Sequence, residues 1–205
     1  KISKKIKALS DLNIQIGIVI GGGNIFRGIS VSDQGMDRVP ADYLGMMATI
    51  MNSVALQSEL EKLGCNTRVM SALSVTQLAE PYIRRRATHH LEKDRIVIFA
   101  GGTGNPYFTT DTAAALRGIE INANVIIKGT KVDGIYSSDP LKDKDAIKYD
   151  KLSFKEVIDK ELRVMDMTAF TLCKENNLPI IVLNINDKNC LSDLIKSKKI
   201  GTLVS

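Results

Sequence analysis

The chain has 205 residues, 44% hydrophobic, 25% charged and 5% aromatic with no tryptophan, which is enough to bury a core in one large domain or two small ones. Its net charge of +5 suits anionic small molecules, while so few aromatics offer no stacking platform for single strands, so nucleic acid is not expected as a partner. No apolar run reaches the length of a membrane span and no signal-peptide pattern opens the chain; Cys65, Cys173 and Cys190 are odd in number and widely spaced, which argues against a disulfide framework or zinc site and for a reducing cytoplasm.

Ile2, Ile6, Leu9 and Leu12 recur at helical spacing through residues 1–13, with lysines between them. The run Gln15–Ile20 predicts a buried strand of the parallel kind, which leads straight into Gly21-Gly22-Gly23-Asn24-Ile25-Phe26-Arg27-Gly28. Residues 29–40 are polar, with Gly35 and Pro40, and predict a flexible excursion. Asp42 can cap a helix running to about Leu63, with Leu44, Met47, Met51, Val54 and Ala55 on one face; Met46, Met47 and Met51 are expected in the core. Gly64 ends that helix and Thr67–Leu73 is the next strand.

Residues 74–94 carry no clear period until Leu91–Asp94, which resembles a helix end before the strand finishing at Ala100. A helix over Ala113–Ile119, a strand at Asn124–Lys128 and a turn-rich stretch over 129–140 follow. After a charged loop over 141–152 come helices at Phe154–Lys160 and Met167–Asn176, a strand at Ile180–Ile185, a helix near Leu191–Ser197 and a last strand at Thr202–Ser205. Strands alternating with helices predict a parallel α/β sheet with helices on both faces.

The most informative stretch is Gly101-Gly102-Thr103-Gly104-Asn105-Pro106-Tyr107-Phe108-Thr109-Thr110-Asp111. A glycine-rich turn from a strand into a helix presents unpaired N–H groups and the positive end of the helix dipole, which suit an anion. The threonines and Asn105 add hydrogen-bonding groups able to read a ligand. Loops 21–28, 101–111, 129–139 and the turn before Met167 all leave strand ends, where open parallel sheets bind ligands.

Known nucleotide fingerprints are absent: Phe26 stands where the dinucleotide motif needs its third glycine, and no P-loop sequence occurs. His89-His90 cannot share a helix face and predicts a solvated or packed pair, not a metal site. Arg84-Arg85-Arg86 reads first as a solvated face or oligomer contact, with phosphate binding as the alternative. Arg27 can reach a phosphate held on the preceding glycines, or simply lie on the surface. Asp42, Asp111 and Asp166 each have the reading of a helix cap beside any chemical one.

Three segments resemble bacterial uridylate kinases of the amino acid kinase superfamily: the 21–28 loop, Asp42-x-x-Gly45-Met46, and Gly102-Thr103-Gly104-Asn105-Pro106-x-Phe108-Thr109-Thr110-Asp111. So do Lys128-x-Thr130-Lys131-Val132-Asp133-Gly134-x-Tyr136-x-x-Asp139-Pro140 and Val164-Met165-Asp166. The resemblance runs through residues 1–205 and implies a single domain, a three-layer α/β/α sandwich around a mostly parallel sheet. It implies transfer of the ATP γ-phosphoryl group to UMP, with Mg²⁺ carried mainly by nucleotide phosphates and no metal-binding residue of the protein.

By the same resemblance Gly22, Asp42, Thr103, Gly104, Asn105, Pro106, Tyr107, Phe108, Thr109 and Thr110 hold UMP, Asp42 through the ribose hydroxyls. Gly23, Arg27, Thr130, Tyr136 and Asp139 line the ATP site. Arg27, Asp111 and Asp166 are the catalytic positions, Asp111 as an organising carboxylate. A homohexamer built on dimers, activated by GTP and inhibited by UTP, is implied too, in the cytoplasm and in pyrimidine nucleotide synthesis. Asn124 stands where the family pattern has Asp. The family also has a preceding strand and a Lys-Leu-Ser-Gly-Glu loop, which Lys1-Ile2-Ser3 imitates without a strand before it; that strand and its catalytic lysine are expected to lie outside this sequence. The alternatives are a superfamily enzyme with a carboxylate, carbamate or isopentenyl phosphate acceptor, or a non-catalytic nucleotide sensor.

Overall fold

The computed structural model describes residues 2–26, 35–140, 142–162, 165–196 and 199–205, which divide into two compact units, 1–121 and 122–205. The first unit contains α1 (Ile2–Ser10), β1 (Gly17–Val19), α2 (Arg38–Glu61), β2 (Thr67–Ser71), β3 (Glu80–Pro81), α3 (Arg84–Glu92), β4 (Ile96–Ala100) and α4 (Thr110–Glu120). Its strands form a four-stranded sheet ordered β1-β4-β2-β3 in which every pairing is parallel.

β4 shows why this sheet is covered on both faces. All five of its residues are buried, and their alternation divides them between two clusters. Ile96, Ile98 and Ala100 pack with Ile6 of α1 and with Ile50, Leu56 and Leu60 of α2. Val97 and Phe99 pack on the opposite face with Ala87 and Leu91 of α3. The layers are therefore helix, sheet, helix.

α2 departs from the face expected of it. Its buried residues are Ala41, Met46, Ala48, Thr49, Ile50, Ser53, Leu56 and Leu60, whereas Leu44, Met47 and Met51 are exposed. Only Met46 of the three methionines belongs to the core; Met47 and Met51 are one turn apart on the outer side. The helix also starts at Arg38, so Asp42 lies within it and is not its cap. Toward its N-terminal half the inward face is small or polar, and this lets a loop backbone come close.

The second unit contains β5 (Ile126–Thr130), β6 (Ile135–Tyr136), β7 (Lys148–Tyr149), β8 (Lys151–Leu152), α5 (Phe154–Asp159), α6 (Met167–Glu175), β9 (Ile180–Asn184), α7 (Cys190–Ile195) and β10 (Thr202–Val204). Its sheet is ordered β5-β9-β10-β8, parallel except for the antiparallel β9/β10 pair, and β6 and β7 form a separate antiparallel pair. The strands thus divide between two four-stranded sheets, an arrangement that alternation of strands and helices alone does not reveal. α5 opens with a capping box in which Ser153 and Glu156 satisfy each other's backbone N–H groups. The buried Phe154 and Phe170 meet edge to face, at 6.4 Å between centroids, in the core of this unit.

Cys65, Cys173 and Cys190 are all buried and free, and burial pushes the Cys173 thiol up to about 11. Among the described residues no helix is long and apolar enough to cross a membrane. Because Leu60 is fully buried between α2 and β4, Leu60→Ala is expected to destabilise the chain by about 2–5 kcal/mol, read as a lower denaturation midpoint.

Candidate functional site

The loop after β1 and the loop after β4 meet α2 around a cavity of about 440 Å³ in the first unit. α2 contributes Arg38, Ala41, Asp42, Gly45, Met46 and Thr49 to its wall. These positions are three or four residues apart, so they form one stripe along the helix. The first loop contributes Gly22, Gly23 and Phe26, and the second Gly102, Thr103, Asn105, Phe108, Thr109 and Thr110.

Each loop is held by side chains of α2. Asn52 donates to the Gly21 carbonyl at 2.8 Å and pairs its amide with that of Asn24. Gly22 packs so closely on the helix that a Cβ there would lie 2.6 Å from the Gly45 carbonyl and 2.8 Å from Ala48 Cβ. Only glycine allows this approach.

The second loop turns through Gly101, Gly102 and Gly104 at φ +74°, +58° and +82°, and Tyr107 joins them at +72°. Such a turn satisfies only part of its own backbone, through Gly104 N on the Gly101 carbonyl and Asn105 N on Thr103 Oγ1. Thr49 Oγ1 accepts from Gly101 N at 2.8 Å while donating to the Met46 carbonyl at 2.7 Å. One turn nearer the N-terminus of α2, Asp42 accepts from Tyr107 N at 2.7 Å and from Arg38 Nε at 2.8 Å. A carboxylate has about four acceptor positions, so Asp42 retains capacity for a ligand hydroxyl. The Arg38 guanidinium also lies 5.8 Å from the Tyr107 ring centroid.

α4 begins at this cavity. Thr109 is its cap, accepting from Asp111 N at 3.1 Å and Thr112 N at 3.3 Å, and Thr110 is its first residue, beside Gly21. The positive end of an 11-residue helix therefore faces the cavity. Asp111 sits within the first turn, half-buried; it is not the cap, and it is not among the residues lining the cavity.

The expected site residues thus distribute unevenly. Gly22, Gly23, Asp42, Thr103, Asn105, Phe108, Thr109 and Thr110 come together around one cavity; Gly104, Pro106 and Tyr107 belong to the same loop without lining it. Arg27 lies outside the described residues. Thr130, Tyr136, Asp139 and Asp166 belong to the second unit. There Thr130 Oγ1 donates to the Val132 carbonyl at 2.6 Å and Tyr136 donates to Asp133 at 2.6 Å. That hydroxyl and Lys148 hold the Asp133 carboxyl below its usual range. Asp166 caps α6, accepting from Ala169 N at 2.9 Å.

Arg38 and Thr49 are site residues that motif reading missed, whereas Gly45 was read as part of a motif without a place in the site. The signal was present: counted from Asp42, Arg38 and Thr49 fall at −4 and +7, on the same helix face. Beginning the helix at Asp42 removed Arg38 from view. Elsewhere, Arg84 donates to the Glu120 carbonyl, and the mostly buried His90 packs between Glu80 and Arg95, while its neighbour His89 is exposed.

The model of the amino acid kinase family matches residues 1–184. A solved UMP kinase from Bacillus anthracis superposes with a TM-score of 0.97 at 41% identity, covering 100% of this chain and 84% of that one. A UMP kinase from Ureaplasma parvum gives 0.94 at 40% identity, covering 99% of this chain and 86% of its own. A uridylate kinase from Archaeoglobus fulgidus gives 0.77 at 30% identity, covering 100% and 90%.

Thr49→Val should leave the buried Gly101 N–H without its acceptor and cost about 1–3 kcal/mol in denaturant unfolding, with Thr49→Ser retaining most of the stability.

Proposed function

The chain belongs to the amino acid kinase family and, within it, to the uridylate kinases, and on that premise we propose that it catalyses ATP + UMP → ADP + UDP. The observation that carries this reading is the cavity of about 440 Å³ on which Gly22, Asp42 and the Thr103–Thr110 loop converge. In it Asp42 accepts from the ribose hydroxyls, while Thr103 and Asn105 lie around the base and phosphate. The 5′-phosphate is received by the N-terminus of α4, at Thr110, and by the Gly22 loop. Arg27 neutralises phosphate charge. Gly23, Thr130, Tyr136 and Asp139 receive ATP, Asp111 orients the cations, and Asp166 acts near the transferring phosphate.

The acceptor oxygen belongs to a phosphate monoester whose second pKa is about 6, so it is already largely ionised near neutrality. No general base is needed to create the nucleophile. The obstacle is repulsion between two polyanions, and the protein's work is alignment and charge cancellation by N–H groups and Arg27. Mg²⁺ enters with the nucleotide as part of the substrate. Among the described residues no three of His, Cys, Asp and Glu are grouped to hold a metal ion.

Three buried free cysteines support a reducing, cytoplasmic setting, and the proposed reaction would serve pyrimidine nucleotide synthesis there. Assembly as a homohexamer of dimers, with GTP activating and UTP inhibiting, completes the reading. The exposed Leu44, Met47 and Met51 on α2 support an assembled state.

ADP release measured across UMP, carboxylate, carbamate and isopentenyl phosphate acceptors tests the assignment on full-length protein; turnover confined to UMP is expected, and a preference for another acceptor would reject it. Arg27→Ala is expected to lower kcat/KM about tenfold or more, some 1.4 kcal/mol of transition-state stabilisation, and an unchanged value removes Arg27 from the site. Asp42→Asn should act mainly on KM for UMP, not on KM for ATP.

A further inference from the structure

Arg117, on α4, is the most deeply buried cation near the cavity, only 5% exposed, and no step of the proposed reaction uses it. Removing a guanidinium from water is costly, and filling this space alone would need only an aliphatic side chain. Three partners account for the arginine. Nη1 donates to Glu120 Oε2 at 2.7 Å, the guanidinium lies 3.8 Å from the Tyr82 ring centroid, and Nη2 donates to the Gly102 carbonyl at 3.3 Å. Glu120 is itself fixed, because its carboxylate accepts from the Tyr82 hydroxyl and its carbonyl from Arg84 Nε. The cation therefore stands on a rigid base with one arm extended to the loop. Burial and the neighbouring Glu120 push the Tyr82 phenol up to about 12, so its hydroxyl keeps its proton near neutrality.

Gly102 lines the cavity at φ +58°, between the cavity wall and Arg117. Its neighbour Gly101 is bonded at N by Thr49 and at its carbonyl by Gly104 N. We propose that Arg117 is a positioning residue, which holds the 101–105 turn in its site-forming conformation through the Gly102 carbonyl and so sets affinity for the phosphoryl acceptor. That the acceptor is UMP rests on the function proposed above; the anchoring of the turn does not.

The test compares wild type, Arg117→Lys and Tyr82→Phe in full-length protein, by hydrogen exchange over residues 101–105 and by steady-state kinetics. A lysine keeps the charge beside Glu120 and loses the second arm; a phenylalanine removes only the hydroxyl that steadies Glu120. Arg117→Lys should raise exchange in 101–105 about tenfold or more, with α4 protected as in wild type. KM for UMP should rise about fivefold, with KM for ATP and kcat within about twofold. Tyr82→Phe should move both readouts in the same direction by less, and it decides the matter if the lysine variant does not fold. Unchanged exchange at 101–105, or a rise spread evenly over the whole first unit, would overturn the proposal by making Arg117 a packing residue only. If wild type fails to phosphorylate UMP, the functional reading falls while the exchange result still decides the role of Arg117.

Discussion

Two side chains on one face of α2, Asp42 and Thr49, provide hydrogen bonds that the turn after β4 cannot make with itself. Left-handed residues at 101, 102, 104 and 107 bring that turn close to the helix but take its backbone out of any ladder, and the buried Gly101 N–H must be satisfied from somewhere. Asp42 and Thr49 do this seven residues apart, which is two helical turns, so the loop is fastened along the helix at both ends. The cavity is the space this fastening leaves between loop and helix.

The requirement propagates into composition. α2 runs small and polar where the loops touch it and aliphatic where it covers β4, so one helix is half scaffold and half site wall. Gly22 faces the same helix with no room for a Cβ, and Asn52 holds Gly21 from one turn further along. Opposite α2, Arg117 reaches the turn from α4. The glycines gain conformational reach at a cost in chain entropy, and these side-chain anchors offset it.

Much of this was legible from residues alone. The glycine-rich loops between strand and helix marked the cavity's two lips: the loop after β4 needs left-handed positions at Gly101, Gly102 and Gly104, and the loop after β1 needs a residue without a Cβ at Gly22 to pack on α2. The apolar runs marked β4 and β9 well, since a strand buried on both faces has little choice of residue. α2 was misjudged for a physical reason: over its first half the large apolar Leu44, Met47 and Met51 stand on the exposed side, while Ala41, Ala48, Thr49 and Ser53 are buried beside Met46 and Ile50, so size and apolarity do not mark the inward face there. The division of strands between two sheets was not legible, because pairing depends on contacts distant in sequence. The anchoring by Arg117 was equally hidden, since its partners Tyr82 and Gly102 lie 35 and 15 residues before it and leave no local pattern.

The proposed reaction seats a ribonucleotide monophosphate in this cavity with Asp42 on the ribose. It is tested most directly by kcat/KM for UMP and dUMP, in full-length wild type and in Asp42→Asn. A site built to bond a substrate hydroxyl discriminates strongly against an analogue lacking it. Wild type is expected to prefer UMP over dUMP by about tenfold or more, and Asp42→Asn to lose most of this preference. Equal values for the two nucleotides in wild type, or a preference unchanged in the variant, would contradict it.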